Sequence, residues 1–155
     1  MIKKIIICLI FIPLISSCGF KIVNERDLRN FEITTVNISG DPRIKFSLKN
    51  KLKSISNPGN RQVKLNINAQ KSKNIKEKNI KNEVTKYELV INIETDYEIV
   101  NEKRVGKFTI TKSGDYNLKS QYSQTLINEK DLIKLLIDDI AKEINNNLTI
   151  LINDL

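Results

Sequence analysis

The sequence predicts an α+β domain, a two-layer sandwich in which two helices cover one face of a four-stranded, mostly antiparallel sheet. Stretches 63–70 and 87–98 alternate apolar and polar side chains, which is the period of a strand buried on one side. Stretches 44–55 and 132–148 repeat apolar residues with the period of a helix. Two such helices can cover the single apolar face of the sheet, and the element order is β-α-β-β-β-α.

The first strand and helix have clear sequence boundaries. Residues 31–39 are rich in β-branched side chains and stop at Gly40. Asp41 is a good N-cap, and Pro42 suits the first helical position because its missing N–H costs nothing there. The run Asn-Pro-Gly-Asn at 57–60 ends the helix. Its apolar stripe consists of Ile44, Leu48, Leu52 and Ile55.

The second and third strands form the best-defined part of the sheet. Residues 71–82 lie between them and contain five lysines, so we interpret this segment as a mobile hairpin loop or as solvated extensions of the strands. The side chains predicted to share the buried face are Val63, Leu65, Ile67 and Ala69 on one strand and Tyr87, Leu89, Ile91, Ile93, Thr95 and Tyr97 on the other.

The fourth strand is predicted at 104–112, after a turn at 101–103. Phe108 and Ile110 point inward, and Gly106 marks a bulge. The run Ser-Gly-Asp at 113–115 interrupts the strand, and 116–126 forms an irregular or extended crossing.

A long helix ends the domain. Asn128 caps it, and Asp131 complements the helix dipole. The helix ends at the three asparagines 145–147 or runs on through Ile152. Its wide apolar face consists of Leu132, Ile133, Leu136, Ile137, Ile140, Ala141, Ile144 and Leu148.

A secretory signal precedes the domain. Lys3 and Lys4 give a positive start, and 5–15 is an uncharged run too short to cross a hydrocarbon core of roughly 30 Å. The run Ile-Ser-Ser-Cys at 15–18 has the form of a bacterial lipobox, in which Cys18 receives diacylglycerol and an N-acyl chain. The alternative is an ordinary signal peptide with an incidental cysteine nearby.

The lipobox predicts three parts of the chain: a signal peptide at 1–17 that is removed, a lipid-anchored connector at 18–30 and a single domain at 31–155. Two or three acyl chains give lasting membrane attachment. Gly19 stands where aspartate favours retention in the inner membrane, so we expect attachment to the inner leaflet of the outer membrane.

The net charge of +8 excludes few partners by itself, and removal of Lys3 and Lys4 with the signal lowers it to +6. Such a charge often indicates nucleic acid, but an exported lipoprotein rarely meets any, so we expect no nucleic-acid partner. Anionic lipid, phosphorylated glycolipid or an acidic protein surface fits better. The alternative is that the lysines form a solvated face, since Lys, Asn and Ile dominate the composition as in an AT-rich genome.

Residues for catalysis or metal binding are scarce. The chain has no histidine, Cys8 lies in the signal, and Cys18 is the lipidated residue. We expect no metal and no cofactor beyond the covalent acyl groups. Glu94, Asp96 and Glu98 line one strand face, where solvent exposure or a partner surface is a simpler interpretation than catalysis. The sequence predicts a binding protein, not an enzyme.

Four stretches make the chain resemble a known family, the LPS-assembly lipoprotein LptE. They are Cys-Gly-Phe-Lys at 18–21, Ser-Gly-Asp at 39–41, Lys-Tyr-Glu-Leu at 86–89, and Asp-Tyr-Asn at 115–117 with Tyr122 and the helix that follows. Each motif is short, but together they extend over nearly the whole mature chain in the family's order of elements.

The resemblance implies a plug that sits in the lumen of a large LptD-like outer-membrane β-barrel, helps it assemble, and binds lipopolysaccharide during insertion into the outer leaflet. No matching motif assigns the binding residues. From charge alone we expect lipopolysaccharide or another anion to contact Lys76, Lys78, Lys81 and Lys119.

Two other interpretations remain open. One is a lipid-anchored periplasmic adaptor or carrier that binds an anionic envelope ligand without a barrel. The other is a basic surface that docks on an anionic membrane.

Overall fold

The computed structural model describes residues 31–56 and 58–153. The signal, Cys18 and the connector lie outside this range, so their assignments stay predictions. The predicted fold class and element order are confirmed. The elements are β1 (Phe31–Gly40), α1 (Pro42–Ile55), β2 (Arg61–Lys78), β3 (Val84–Ile99), a 3₁₀ turn (Val100–Glu102), β4 (Arg104–Asn117) and α2 (Tyr122–Asn153).

The four strands form one mixed sheet in the order β1-β2-β3-β4. β1 and β2 are parallel, because α1 returns the chain to the starting edge, and the other two pairs are antiparallel. The hydrophobic core lies between α1, α2 and one face of the sheet. Fully buried side chains on the strands include Val63, Leu65, Leu89, Ile91, Ile93 and Ile99, as the alternation predicts.

The corner between β1 and α1 depends on Gly40 and Asp41. Gly40 has φ +99°, and a Cβ there would lie 1.9 Å from the carbonyl oxygen of Ala69. The Asp41 carboxylate caps α1 by accepting hydrogen bonds from the backbone N–H groups of Arg43 (2.9 Å) and Ile44 (3.3 Å). Burial raises the pKa of Asp41, but these hydrogen bonds outweigh it and lower the pKa below its usual 3.8.

The lysine-rich segment after 70 belongs mostly to strands. β2 pairs with β3 as far as Lys78, and only residues 79–83 turn the chain. Of the two interpretations of 71–82, solvated strand extension is therefore right. One extra residue, Lys76, interrupts the regular pairing between Ile75 and Glu77.

Two predictions about β4 are wrong. The strand continues through 113–115, where Gly114 pairs with Leu89 and its lack of a Cβ makes room for the side chain of Leu132. Gly106 is no bulge, because it pairs in register with Tyr97, whose ring occupies the space above the glycine. Ile110 is buried and Phe108 packs against the core, as predicted.

The start of the last helix is also earlier than predicted. α2 begins at Tyr122, so Asn128 is not its cap; the Asn128 amide donates instead to the carbonyl of Asn117 (3.3 Å). Most of the crossing predicted at 116–126 thus belongs to β4 and α2. At the other end α2 continues past the three asparagines and buries Ile152, which decides between the two predicted ends.

Substitution of Thr95 tests whether its buried hydroxyl lacks a hydrogen-bond partner. Its side chain is 1% exposed, and its Oγ1 has no hydrogen-bond partner among the described residues. Replacing Thr95 by Val keeps the shape and removes the unpaired hydroxyl, so we expect the free energy of unfolding to rise by about 1 kcal/mol. Denaturant unfolding of the full chain measures this change.

Thr125→Val is the matched control. Thr125 is also buried, but its Oγ1 accepts a hydrogen bond from the backbone N–H of Lys119 (2.8 Å), so we expect a loss of about 1 kcal/mol or more. If Thr95→Val destabilised the protein as much as Thr125→Val does, the hydroxyl of Thr95 would have a partner and this description of the core would be wrong.

Candidate functional site

The face of the sheet turned away from the helices, which we call the open face, carries polar side chains in rows across all four strands. One row is Asn37, Asn66, Asp96 and Lys107, and the next is Ser39, Asn68, Glu94 and Thr109. Together they line an open depression of about 720 Å³. This shape suits contact with a broad hydrated surface.

The rows are held by hydrogen bonds between strands. The Asn37 amide donates to Asn66 Oδ1 (3.0 Å), and the Asn68 amide contacts Glu94 (3.5 Å). Glu94 and Asp96 are exposed and form no salt bridge with another described residue, whereas Glu98 pairs with Lys64 (3.5 Å). The carboxylates thus lie on an exposed polar surface.

The turn of the β2–β3 hairpin, residues 79–83, forms a second exposed feature. The Asn79 side-chain oxygen accepts hydrogen bonds from the backbone N–H groups of Lys81 (2.9 Å) and Glu83 (3.0 Å), which fixes the turn. Asn82 adopts φ +64° to complete it. The side chain of Ile80 is fully exposed at 103%, so an apolar group stands at the apex among lysines.

The structure places the four predicted anion-binding lysines at one end of the sheet but in different settings. Lys76 is paired with Asp115 (2.5 Å), and this hydrogen bond raises the pKa of Lys76 above its usual 10.5. Lys78 donates to the side chain of Asn82 (3.1 Å). Lys81 is exposed in the turn, and Lys119 is exposed between β4 and α2.

Lys78 and Lys81 therefore come together at the hairpin turn. Lys119 instead borders a shallow depression of about 430 Å³ that Asp115 and Asp131 also line.

A cluster that the sequence did not predict lies beside this end of the core. Lys73 Nζ sits 4.1 Å from the ring centroid of Tyr87 and 5.2 Å from that of Tyr116, within cation–π range. Glu129 of α2 forms a salt bridge with Lys73 (3.3 Å) and accepts a hydrogen bond from the Tyr116 hydroxyl (2.8 Å). These four residues, the Lys73 cluster, join the sheet to the first half of α2.

The pKa shifts in the Lys73 cluster show how the charges stabilise each other. Burial opposes the charge on Lys73, yet the hydrogen bonds with Tyr116 and Glu129 raise its pKa above 10.5. Burial likewise opposes the charge on Glu129, but the bonds from Tyr116 and Lys73 lower its pKa below 4.5. Burial raises the pKa of Tyr116 above 10.0, so its hydroxyl stays protonated.

The sequence contained one signal for this cluster. Lys71, Lys73 and Ile75 continue the alternation of β2 past residue 70, and Tyr87 pairs with Ile75. The apolar–polar alternation of β2 is hard to see past residue 70, because two of its core-side positions are occupied by lysines instead of apolar residues.

Within residues 31–56 and 58–153 no group of side chains has the composition of a metal site. None of the described helices is long and apolar enough to span a bilayer.

Comparison with known proteins finds similarity of structure only. No protein-family model and no curated protein matches the sequence. Rare lipoprotein B from Shewanella oneidensis has a TM-score of 0.56 at 15% identity, covering 74% of this chain and 92% of that one. Lipoprotein B from Nitrosomonas europaea has a TM-score of 0.54 at 15% identity, covering 87% and 93%.

A third similar structure comes from Caulobacter crescentus, a proposed lipoprotein, with a TM-score of 0.54 at 14% identity and coverage of 82% and 93%. At these identities the likeness shows the fold alone. The chain thus has the fold of bacterial proteins named as lipoproteins, over nearly their whole length.

Replacing Glu129 by Gln tests the Lys73 cluster. Gln still accepts the Tyr116 hydroxyl, but the charge that offsets the partial burial of Lys73 is lost. The Lys73 side chain is 39% exposed and solvent screens the pair, so we expect a loss near neutral pH of about 1 kcal/mol in the free energy of unfolding.

The sign of the pH dependence follows from the lowered pKa of Glu129. The salt bridge stabilises the fold fully above pH 4.5 and is lost as the pH falls through the lower folded-state pKa, so the variant and the parent converge in acid. Asp139→Asn breaks an exposed pair with Lys142 (3.8 Å) and should change stability little at any pH. A Glu129→Gln variant as stable as the parent near pH 7 would contradict the assignment.

Proposed function

We propose that the chain is a non-enzymatic lipoprotein of the outer membrane, anchored through Cys18, which plugs and helps assemble the LptD-like barrel that inserts lipopolysaccharide. The observation that carries the proposal is the fold, which is similar to that of rare lipoprotein B. Rare lipoprotein B is another name of the LptE family, which the sequence independently resembles.

The open face supports contact with the inside of a barrel. A barrel lumen is polar and hydrated, and this face presents amides, hydroxyls and carboxylates across four strands. Among the described residues, two apolar side chains, Val90 and Val105, stand at the regularly paired positions of this face, and the other side chains there are polar or charged. Such a surface matches a wet interface better than a lipid-filled one.

The hairpin turn supports lipopolysaccharide binding. Lys78 and Lys81 flank the exposed Ile80, so cations for phosphate and an apolar group for an acyl chain lie side by side. Lys119 is a further candidate, whereas Lys76 already neutralises Asp115 and is the weakest of the four.

A carrier that works without a barrel fits the structure less well. Such a carrier needs an enclosed apolar cavity, but the two larger depressions described here are open. One is the polar open face, and the other is a groove of about 580 Å³ between the helices.

The test is purification of the tagged full chain from detergent-solubilised envelopes in high salt. We expect one large outer-membrane barrel to accompany it in equal amounts. The double variant Asn66→Arg/Thr109→Arg places two bulky charges on exposed positions of the open face and should reduce barrel recovery about tenfold, or about 1.4 kcal/mol. Ser47→Arg/Asn50→Arg adds the same charge to exposed positions on α1 and should leave recovery unchanged.

The amount of lipopolysaccharide that copurifies in the same preparations measures the contribution of the lysines to its binding. Lys78→Gln/Lys81→Gln should lower bound lipopolysaccharide while barrel recovery stays at the parent level. Recovery of the lipoprotein alone, or with lipid only, would contradict the plug and favour the carrier.

A further inference from the structure

α1 is unusually basic for an amphipathic helix. It carries five basic residues and no acidic one. Lys51 pairs with Asp138 of α2 (2.8 Å), while Arg43, Lys45 and Lys53 are exposed and form no salt bridge with another described residue. Exposed basic side chains on a helix are by themselves an ordinary solvated surface.

An apolar groove lies beside Arg43, at the start of α1. Phe46 on α1 is 71% exposed, and Ile127 on α2 is 53% exposed. The two line a groove of about 580 Å³ together with Arg43, Lys130 and Lys134, and Asp131 is the one acidic residue that lines it within the described part of the chain. We call Arg43, Lys45, Phe46, Ile127, Lys130 and Lys134 the helix-side patch.

The opposite side of the sandwich has the opposite balance of charge. The paired strand positions of the open face, together with the adjoining Lys76, carry seven acidic and four basic side chains. The acidic ones are Glu32, Glu77, Glu88, Glu94, Asp96, Glu98 and Asp115, and the basic ones are Lys64, Lys76, Lys86 and Lys107. An anionic plane would therefore attract the helix side and repel the open face.

We propose that the helix-side patch docks on the anionic phospholipid surface of the membrane when the lipoprotein is free of its barrel. Exposed aromatic and aliphatic side chains enter the headgroup region, and the flanking cations contact phosphates, as on interfacial amphipathic helices. The open face is then turned away from the bilayer and remains available to a partner.

Chain length allows this orientation. The proposal relies on the Cys18 anchor of the proposed function, from which 13 residues lead to Phe31, a maximum reach of about 45 Å. α1 is about 21 Å long, so the whole helix lies within that reach of the bilayer. Because the anchor already holds the domain near the lipid, a modest affinity is enough for docking.

Tryptophan fluorescence can test the docking, because the chain contains no tryptophan. Phe46→Trp places a reporter in the patch, and Val105→Trp places one on the open face at a matched exposure of 73%. The full acylated chain is purified from membranes and reconstituted into vesicles of phosphatidylcholine alone or mixed with phosphatidylglycerol. Both contain a brominated lipid as quencher.

We expect a blue shift and quenching for Phe46→Trp in the anionic vesicles only, reversed by high salt, and neither for Val105→Trp. Adding Arg43→Gln/Lys130→Gln/Lys134→Gln should lower the ratio of docked to undocked protein about fivefold per cation, or about 1 kcal/mol each. Lys64→Gln/Lys103→Gln/Lys107→Gln removes the same charge from the sheet side and should leave the signal of Phe46→Trp unchanged.

Equal responses of the two reporters, or none from Phe46→Trp, would overturn the docking. A response of Phe46→Trp to polyglutamate but not to vesicles would overturn it too and assign the patch to an acidic protein. Flotation with phosphatidylcholine vesicles in high salt measures membrane attachment through the acyl anchor alone, because these conditions remove the electrostatic docking. A chain that floats in this assay but whose Phe46→Trp reporter stays unquenched in the anionic vesicles at low salt contradicts docking alone. A chain that fails to float contradicts the anchor.

Discussion

One-sided burial of the sheet is the constraint on which the rest of the structure depends. Side chains of β2 and β3 alternate so strictly that Leu65 and Ile91 are fully buried while Asn66 and Asn92 beside them face away from the core. A one-residue slip in pairing would exchange the two sets. α1 and α2 supply the cover for the apolar side, and α2 is long enough to follow the sheet along most of its length.

This asymmetry separates two surfaces with different chemistry. The open face keeps polar side chains tied in cross-strand rows and an excess of carboxylates, whereas the helix side combines cations with Phe46 and Ile127 in the open. We propose that the open face contacts a barrel lumen and that the helix side contacts a lipid surface. The hairpin turn adds a third feature, with Ile80 between lysines.

Sequence patterns predicted the parts of the fold that follow from local chemistry, including the alternating strands and the Asp41 cap of α1. They failed where tertiary contacts decide. Gly114 looks like a strand breaker, but β3 pairs with it and Leu132 fills its space. The candidate site was harder to predict from the sequence than the fold. The pairing of Lys76 with Asp115 depends on how the strands are placed, and charge alone cannot distinguish a lysine that is already paired from one that is free to bind a ligand.

The most direct test of the account is photo-crosslinking in intact envelopes from exposed positions on the two sides of the sandwich. A benzophenone side chain replacing Asn66 reports on the open face, and one replacing Asn50 reports on α1. The account predicts an adduct between position 66 and a single large outer-membrane barrel, and none from position 50 to that barrel. A barrel adduct from position 50 with none from position 66 would contradict it.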